Sequence, residues 1–285
     1  MGPAASRKRP PILAGKNYAA PSVFEALNLL RESRRQKGLA VAPVPTICLL
    51  DPDGDVVRIL LESGRGMRSR TWACYHTDLV EFTHAGARMG AVGRAVGASF
   101  AVLVAEQLFA SGCGLLVSVT SAGRLAPDVG NPGFALPAFM LIERALRDEG
   151  TSYHYLPPAP FASVDTALAA AVSATLETVW PAVRRGGTWT TDAPFRETET
   201  AIARARALGL LAVEMEAAAL YAFAAACHRP VVCFAHLTNE LAQNAGDFEK
   251  GESEGLQQVL EILAACAVAW ARIGRTHADR AEEGP

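Results

Sequence analysis

Two carboxylates stand two residues apart in the stretch LLAVEMEAAALY, Leu210 to Tyr221, where nearly every neighbour is apolar. Burying an unpaired charge is expensive, because protein does not replace the lost hydration. Glu214 and Glu216 therefore need partners. If GLLAV is a strand, the pair opens the helix that follows, and carboxylates there complement the helix dipole and cap free amides. Alternatively, one carboxylate points into a cleft and accepts from two neighbouring hydroxyls of a ligand, as a ribose offers. Met215 between them would then be a soft apolar wall for the sugar face.

Four other stretches carry usable chemistry. In DPDGDVVR, Asp51 to Arg58, a glycine after a strand lets backbone amides approach an anion, and Arg58 can clamp it with a two-pronged fork. An ordinary tight turn followed by a surface arginine explains the same residues. TSAG, Thr120 to Gly123, ends an apolar run in small hydroxyl residues. TTDAPFRET offers Phe195 to stack on a heterocycle and Arg196 to donate to a carbonyl oxygen. A core Phe195 and an Arg196 paired with Glu197 or Glu199 are the plainer alternative. HLTN places Asn239 at the end of a buried strand.

These residues must be positioned by elements that the hydrophobic pattern outlines. Ser22 to Lys37 reads as an amphipathic helix with Ser22 as N-cap, Glu25 completing a capping box and Gly38 as the stop. VPTICLL is a strand, and DVVRILLES and the runs after it read as short β segments separated by glycines. Ser99 to Gly112 is a helix and GLLVSVTSAG a buried strand. FMLIERALRDEG starts as a strand and turns irregular. Helices follow at Asp165–Val179, Thr198–Leu208, over EMEAAALYAFAAAC and at Gly255–Ile273. GGTWTT, GLLAV and VVCFAHLTN are the strands among them. Strands alternating with helices, without a repeat or a linker, predict one α/β domain over residues 17–275. A disordered tail is expected over 1–16 and a flexible one over 276–285. In such folds ligands collect beyond the carboxyl ends of strands, and Thr120–Gly123, Glu214–Glu216 and Thr238–Glu240 meet that criterion.

The chain has 285 residues, half of them hydrophobic, and a formal net charge of −2, so no general attraction to nucleic acid or to a membrane is expected. The basic stretches SRKRP and RESRRQK read as a solvated tail and the polar face of a helix. Six cysteines without a CxxC spacing indicate reduced thiols, no metal site and a cytoplasmic protein. The apolar run from Ala95 to Thr120 is broken by Glu106 and Gln107 and does not read as a membrane span.

VEMEAAALYAFA resembles the most diagnostic motif of the nucleoside phosphorylase and nucleosidase family, the family of uridine phosphorylases and hexameric purine nucleoside phosphorylases. GDVVR, TSAG, RDEGTSYHYLPP, TWTTDAPFRET and HLTN match further stretches of that family in order, over roughly residues 44 to 265. The resemblance implies an α/β domain with a central mixed, twisted sheet flanked by helices. It implies that Met215 and Glu216 hold the ribose, with Glu214 in a less direct role. Gly54, Arg58 and Ser121 match phosphate ligands. His76 falls near where oligomeric members lend a basic residue across a subunit interface, and Tyr153, His154 and Tyr155 line the pocket or cover an interface.

Two departures matter. Phosphorylases usually carry an arginine three residues before the Ser121 position, where this chain has Ser118; Arg94 in GRAVG is the candidate to replace that charge. SVTSAG is closer to the hydrolytic nucleosidases, whereas CLLDPDGDVVR is of phosphorylase type. Hexameric purine enzymes have an aspartic general acid at the Asn239 position, and an asparagine does not supply a proton that way. Uridine phosphorylases tend to have asparagine there but add a glutamine–arginine pair of which only Arg196 is present. The expectation is a nucleoside phosphorylase: Glu216 and Met215 on the sugar, Asn239 and Arg196 on the base, phosphate as co-substrate and no metal or organic cofactor. A nucleosidase using water is the alternative, followed by a nucleoside-binding protein without turnover. A homo-oligomer, dimer or hexamer, is expected.

Overall fold

A computed structural model describes residues 10–125, 136–180, 183–241 and 248–282, with side chains as far as residue 274. One mixed sheet organises them. Strand β1 (Ile47–Asp51) is buried along its whole length, as a strand covered on both faces must be. It pairs in parallel with β4 (Ala87–Gly93) on one side and β5 (Leu115–Arg124) on the other. Beyond β4 the sheet continues antiparallel through β3 (Val80–His84) to β2 (Gly66–Arg68). On the other side β5 pairs in parallel with β10 (Val231–Asn239) and antiparallel with β9 (Leu210–Glu214). β8 (Arg184–Thr191) joins β9 to β6 (Ala138–Asp148), and β6 pairs back onto β10. The ring β5–β9–β8–β6–β10 therefore closes on itself. The short β7 (Phe161–Ser163) extends β6.

Closure has a direct consequence for the site. β9 runs against β5 and pairs only at Gly123–Val213 and Arg124–Ala212. Its last residues are thus delivered beside Thr120 and Ser121. Gly123 lies opposite both Val213 and Asn239, and a Cβ there would meet Leu241 Cδ2 at 2.6 Å and Asn239 Oδ1 at 3.2 Å. The three strand ends singled out from sequence meet at this glycine.

The helices are α1 (Ala26–Lys37), α2 (Asp55–Glu62), α3 (Ala98–Ala110), α4 (Ser152–Tyr155), α5 (Thr166–Val179), α6 (Glu199–Ala207), α7 (Ala217–Cys227) and α8 (Leu256–Glu282). Asp165 and Thr198 cap α5 and α6 with their side chains, and Gly38 ends α1 at φ 63°. α3 packs on α7, and α8 packs on α5 and β5. α8 is long and apolar enough by composition to cross a membrane; here it buries Leu260, Ile262, Leu263, Cys266 and Ala269 in the core. It also runs to Glu282, so most of the stretch expected to be a flexible tail is helical. Of the N-terminal tail only residues from Pro10 are described, with a single 3-10 turn at Pro11–Leu13, and most of SRKRP lies outside the described residues.

Two further readings change. α1 starts at Ala26, one turn later than expected, because the Ser22 hydroxyl donates to the Phe24 carbonyl instead of capping a helix. DVVRILLE is helix α2 and not a strand. The Asp51 carboxylate accepts from Gly54 N at 3.2 Å and Val57 N at 3.0 Å, and Val56 and Leu60 bury one helical face. That carboxylate is the cap, three residues upstream of where a helix start is usually sought.

A single buried hydroxyl ties α7 to the ring. Tyr221 is fully buried; its OH donates to the Ile142 carbonyl of β6 at 2.5 Å and accepts from Cys233 N of β10 at 3.0 Å. Removing it leaves a buried amide and a buried carbonyl short of a partner. Tyr221→Phe is expected to destabilise the fold by about 1–3 kcal/mol, lowering the thermal midpoint by roughly 2–4 °C for each kcal/mol. An unchanged midpoint in calorimetry would remove this staple from the account.

Candidate active site

Glu214 closes β9 and Glu216 precedes α7, so both carboxylates sit where strand turns into helix. Both are buried, at 3% and 1% exposure. Their partners differ. Glu214 accepts from the Thr190 hydroxyl at 2.5 Å and from the amides of Glu216 and Ala217, each at 2.7 Å. Thr190 in turn accepts from Ala218 N at 3.0 Å. Glu214 is thus spent on the first turn of α7 and on β8. Among the described residues Glu216 accepts only from Gly97 N at 2.6 Å, on one oxygen, and from Thr120 Oγ1 at 3.0 Å, on the other. A carboxylate has about four lone-pair sites, so each oxygen of Glu216 keeps capacity for one more donor. That is the valence a vicinal diol requires. Met215, half-buried, stands between them.

Burial, then the neighbouring Glu214 charge, pushes the Glu216 carboxyl up, to about 8. Burial likewise raises Glu214, against the three hydrogen bonds that favour its charged form. Among the described residues no lysine, arginine or histidine forms an ion pair with either.

The phosphate-matching residues divide between two places. Gly54, Arg58, Arg94 and His76 line one open cleft of about 590 Å³, together with Arg68 and Asp78. Gly54 is required there: its φ is 85°, and a Cβ would stand 2.7 Å from Arg94 Cγ. Arg94 is itself left-handed, at φ 63°, held by its amide on the Asp51 carbonyl at 3.0 Å. Arg58 is bound at 3.2 Å by both Asp55 and Glu62, with Glu254 at 3.9 Å. Ser121 is elsewhere. Its amide and its hydroxyl both donate to Asp53, at 3.0 and 2.9 Å, and Lys250 pairs with Asp53 at 3.0 Å and Asp55 at 2.6 Å. Ser118 Oγ is buried without a hydrogen-bond partner.

Asn239 is buried as the last residue of β10. Its Oδ1 accepts from Leu241 N at 2.9 Å and its Nδ2 donates to Thr238 Oγ1 at 3.2 Å, leaving one N–H uncommitted. Phe195 and Arg196 occupy the exposed 3-10 turn Pro194–Arg196, with Phe195 fully exposed, so in the isolated chain the ring stacks on nothing. His76 is exposed, edge-on to Phe100 at 6.2 Å. Tyr153, His154 and Tyr155 do not enter the site. Tyr155 bonds Glu106 and packs on Phe223, Tyr153 donates to the Arg147 carbonyl at 3.1 Å, and His154 meets Lys16 at 2.7 Å.

Sequence reasoning passed over Gly97, Thr120, Asp53, His236 and Lys250 as individual residues. The first four lie inside stretches that stood out (GRAVG, TSAG, DPDGD and HLTN), although only a neighbour in each was chosen. Lys250 had no local signal; its role comes from a contact with Asp55, 195 residues away.

The buried acids set a pH dependence. Burial raises Asp51 from 3.8 to about 7, and Glu216 rises from 4.5 to about 8. Groups raised in the folded state contribute stability that is complete below their unfolded values and is lost as pH rises through the folded ones. His236, lowered from 6.5 to about 4 by burial and then by Lys250, works oppositely, and its contribution is already complete above 6.5. Thermal stability is therefore expected to fall from pH 6.5 to 8, less steeply in Glu216→Gln. Hydroxyl donors on a ligand favour ionised Glu216, so stabilisation by a bound nucleoside should grow over the same range. A pH-independent ligand shift in differential scanning fluorimetry would count against a diol on Glu216.

A profile of the phosphorylase superfamily matches residues 46–271, well over half of the chain. No curated protein matches by sequence. Among solved structures, purine nucleoside phosphorylase from Toxoplasma gondii in complex with immucillin-H superposes with a TM-score of 0.66 at 12% identity, over 79% of this chain and 91% of that one. Uridine phosphorylase from Vibrio fischeri ES114 gives 0.61 at 18%, over 82% and 93%. The 5'-methylthioadenosine/S-adenosyl homocysteine nucleosidase of Campylobacter jejuni gives 0.63 at 16%, over 78% and 98%. At these identities the structures speak for the fold. The profile, spanning every strand described above and both buried glutamates, places the chain in the phosphorylase superfamily, the family of nucleoside phosphorylases and nucleosidases.

Proposed function

We propose that this protein cleaves the N-glycosidic bond of a nucleoside, with water as the attacking group. Glu216 takes the two sugar hydroxyls on its two open lone-pair sites while Met215 covers the sugar face. Cleavage through an oxocarbenium-like sugar needs the sugar fixed, the leaving base stabilised and a nucleophile on the opposite face. Asn239 has one N–H to offer the leaving base. Asparagine donates a hydrogen bond without transferring a proton, so its aid is electrostatic.

The choice of nucleophile rests on one observation: Asp53 accepts from both donors of Ser121, the residue that matches a phosphate ligand. A carboxylate in that place repels a second anion. Two features beside it point the same way. Arg58 is held by carboxylates, and Ser118 stands where a phosphorylase-type arginine would.

Phosphorolysis, giving base and pentose 1-phosphate, is the second reading. It is favoured by the cleft that gathers Gly54, Arg58 and Arg94. Arg94 is exposed on that cleft and can approach an anion there.

We also propose a homo-oligomer. Phe195 is fully exposed, and Arg196 beside it and His76 are exposed too. An aromatic ring with no cover in one chain fits a surface completed by a second copy, where it and Arg196 would close over the base. A 30 kDa species alone in sedimentation velocity would overturn this.

The deciding experiment is a panel of purine and pyrimidine nucleosides incubated with and without phosphate, read by liquid chromatography. Base release at equal rates in both, with free pentose as product, is expected. Release only with phosphate would select phosphorolysis, and no release from any nucleoside would overturn the enzymatic reading. Glu216→Ala is expected to lower kcat/KM by at least about 100-fold, the scale for a lost charged hydrogen-bond acceptor at about 3 kcal/mol.

A further inference from the structure

Beneath the end of β5 lies a small, partly open cavity of about 20 Å³, lined among others by Asp51, Asp53, Thr120, Ser121, His236 and Lys250. By size it admits a single water, for which roughly 10–15 Å³ suffices, and it excludes a phosphate. Leu49, Val119 and Val259 belong to its apolar part, and the polar groups opposite them are what a hydrated cavity requires. Its most telling member is His236. The ring is 4% exposed and stacks on Phe139 at a centroid distance of 4.0 Å, and its Nε2 is buried without a hydrogen-bond partner. A buried ring nitrogen left unpaired costs free energy unless something small and polar reaches it.

The other walls offer complementary capacity. Asp53 accepts from Ser121 N, Ser121 Oγ and Lys250 Nζ, which leaves one of its four lone-pair sites open. Lys250 spends two donors on Asp53 and Asp55 and has a third. Thr120 connects the cavity to the sugar site, because its hydroxyl donates to Glu216.

We propose that this cavity holds the water that attacks the sugar, with Asp53 as its general base and His236 Nε2 as its second anchor. The proposal rests on the hydrolytic reading above and assigns its nucleophile. The water gives one hydrogen to Asp53 and one to His236 and accepts from Lys250, which leaves one lone pair directed out past Ser121. As the bond from the anomeric carbon to the base nitrogen breaks, its electron pair leaves with the base. The water oxygen forms the new bond to that carbon, and its proton passes to Asp53 and from there to solvent, to which the Asp53 side chain is partly open. The leaving base takes up one proton from solvent, so the sum is nucleoside plus water giving base plus free pentose. Lys250 is a positioning residue: it fixes Asp53 and the water and exchanges no proton.

The test uses the full-length protein and the best nucleoside from the panel. Wild-type turnover in ¹⁸O-labelled water is expected to put one label on the anomeric oxygen of the pentose, with or without phosphate. Asp53→Asn keeps an oxygen for Ser121 but cannot accept the proton, and is expected to lower kcat on the order of 100-fold, the usual scale of general base catalysis, at an unchanged KM. A crystal structure of the wild type should show one ordered water bridging Asp53 and His236 Nε2. Full activity in Asp53→Asn, a loss in KM rather than kcat, or a phosphate on Ser121 in the crystal would overturn this assignment while leaving nucleoside cleavage intact. Absence of any cleavage by the wild type would overturn both.

Discussion

The Glu216 carboxylate has left water without gaining a counter-ion, and much of the surrounding architecture answers that one cost. Two donors reach it, the Gly97 amide and the Thr120 hydroxyl, from segments 119 and 96 residues away in the chain. Neither is mobile. Gly97 opens α3, and Thr120 lies in the central strand β5 between β1 and β10. The carboxylate is therefore fixed in place yet only half satisfied. A group in that condition is poised for a ligand, because two further hydroxyl donors lower its free energy in proportion to how poorly it is solvated alone.

Glu214, two residues away, is better satisfied. Three donors bind it to α7 and β8, and through Thr190 the same link reaches Ala218. The pair divides the work: one carboxylate builds the strand-to-helix corner and the other uses the corner. Burial first and repulsion from Glu214 second lift the proton affinity of Glu216.

Around Ser121 the charges are arranged differently from what the motif alone suggests. Ser121 offers two donors, but they go to Asp53, while Gly54 and Arg58 line a separate cleft. Arg58 turns to its helical neighbours Asp55 and Glu62, and Lys250 compensates the two aspartates. The two donors of Ser121 already hold a carboxylate from the chain itself. Orientation contributes to that difference as well as residue identity: Asp51 caps α2, the helix that carries Arg58 beside Asp55 and Glu62.

Much was determined by the sequence alone. The apolar runs of β1, β5 and β10 and the stop at Gly38 are local properties, governed by propensity and by glycine's access to left-handed backbone. So is the order of motifs that marks the superfamily. Glu216 stood out because a charge in an apolar run is anomalous wherever the chain folds. The helical state of DVVRILLE was hidden, since its cap is a carboxylate upstream of a turn and its β-rich composition argues for a strand. What only the tertiary structure decided is which donor each carboxylate meets. Pairing of β9 with β5 delivers Glu216 to Thr120, pairing of β1 with β5 delivers Asp53 to Ser121, and the segment after β10 brings Lys250 to both aspartates. Such pairings depend on distances through space, and a chain carries no record of those until its strands have chosen their neighbours.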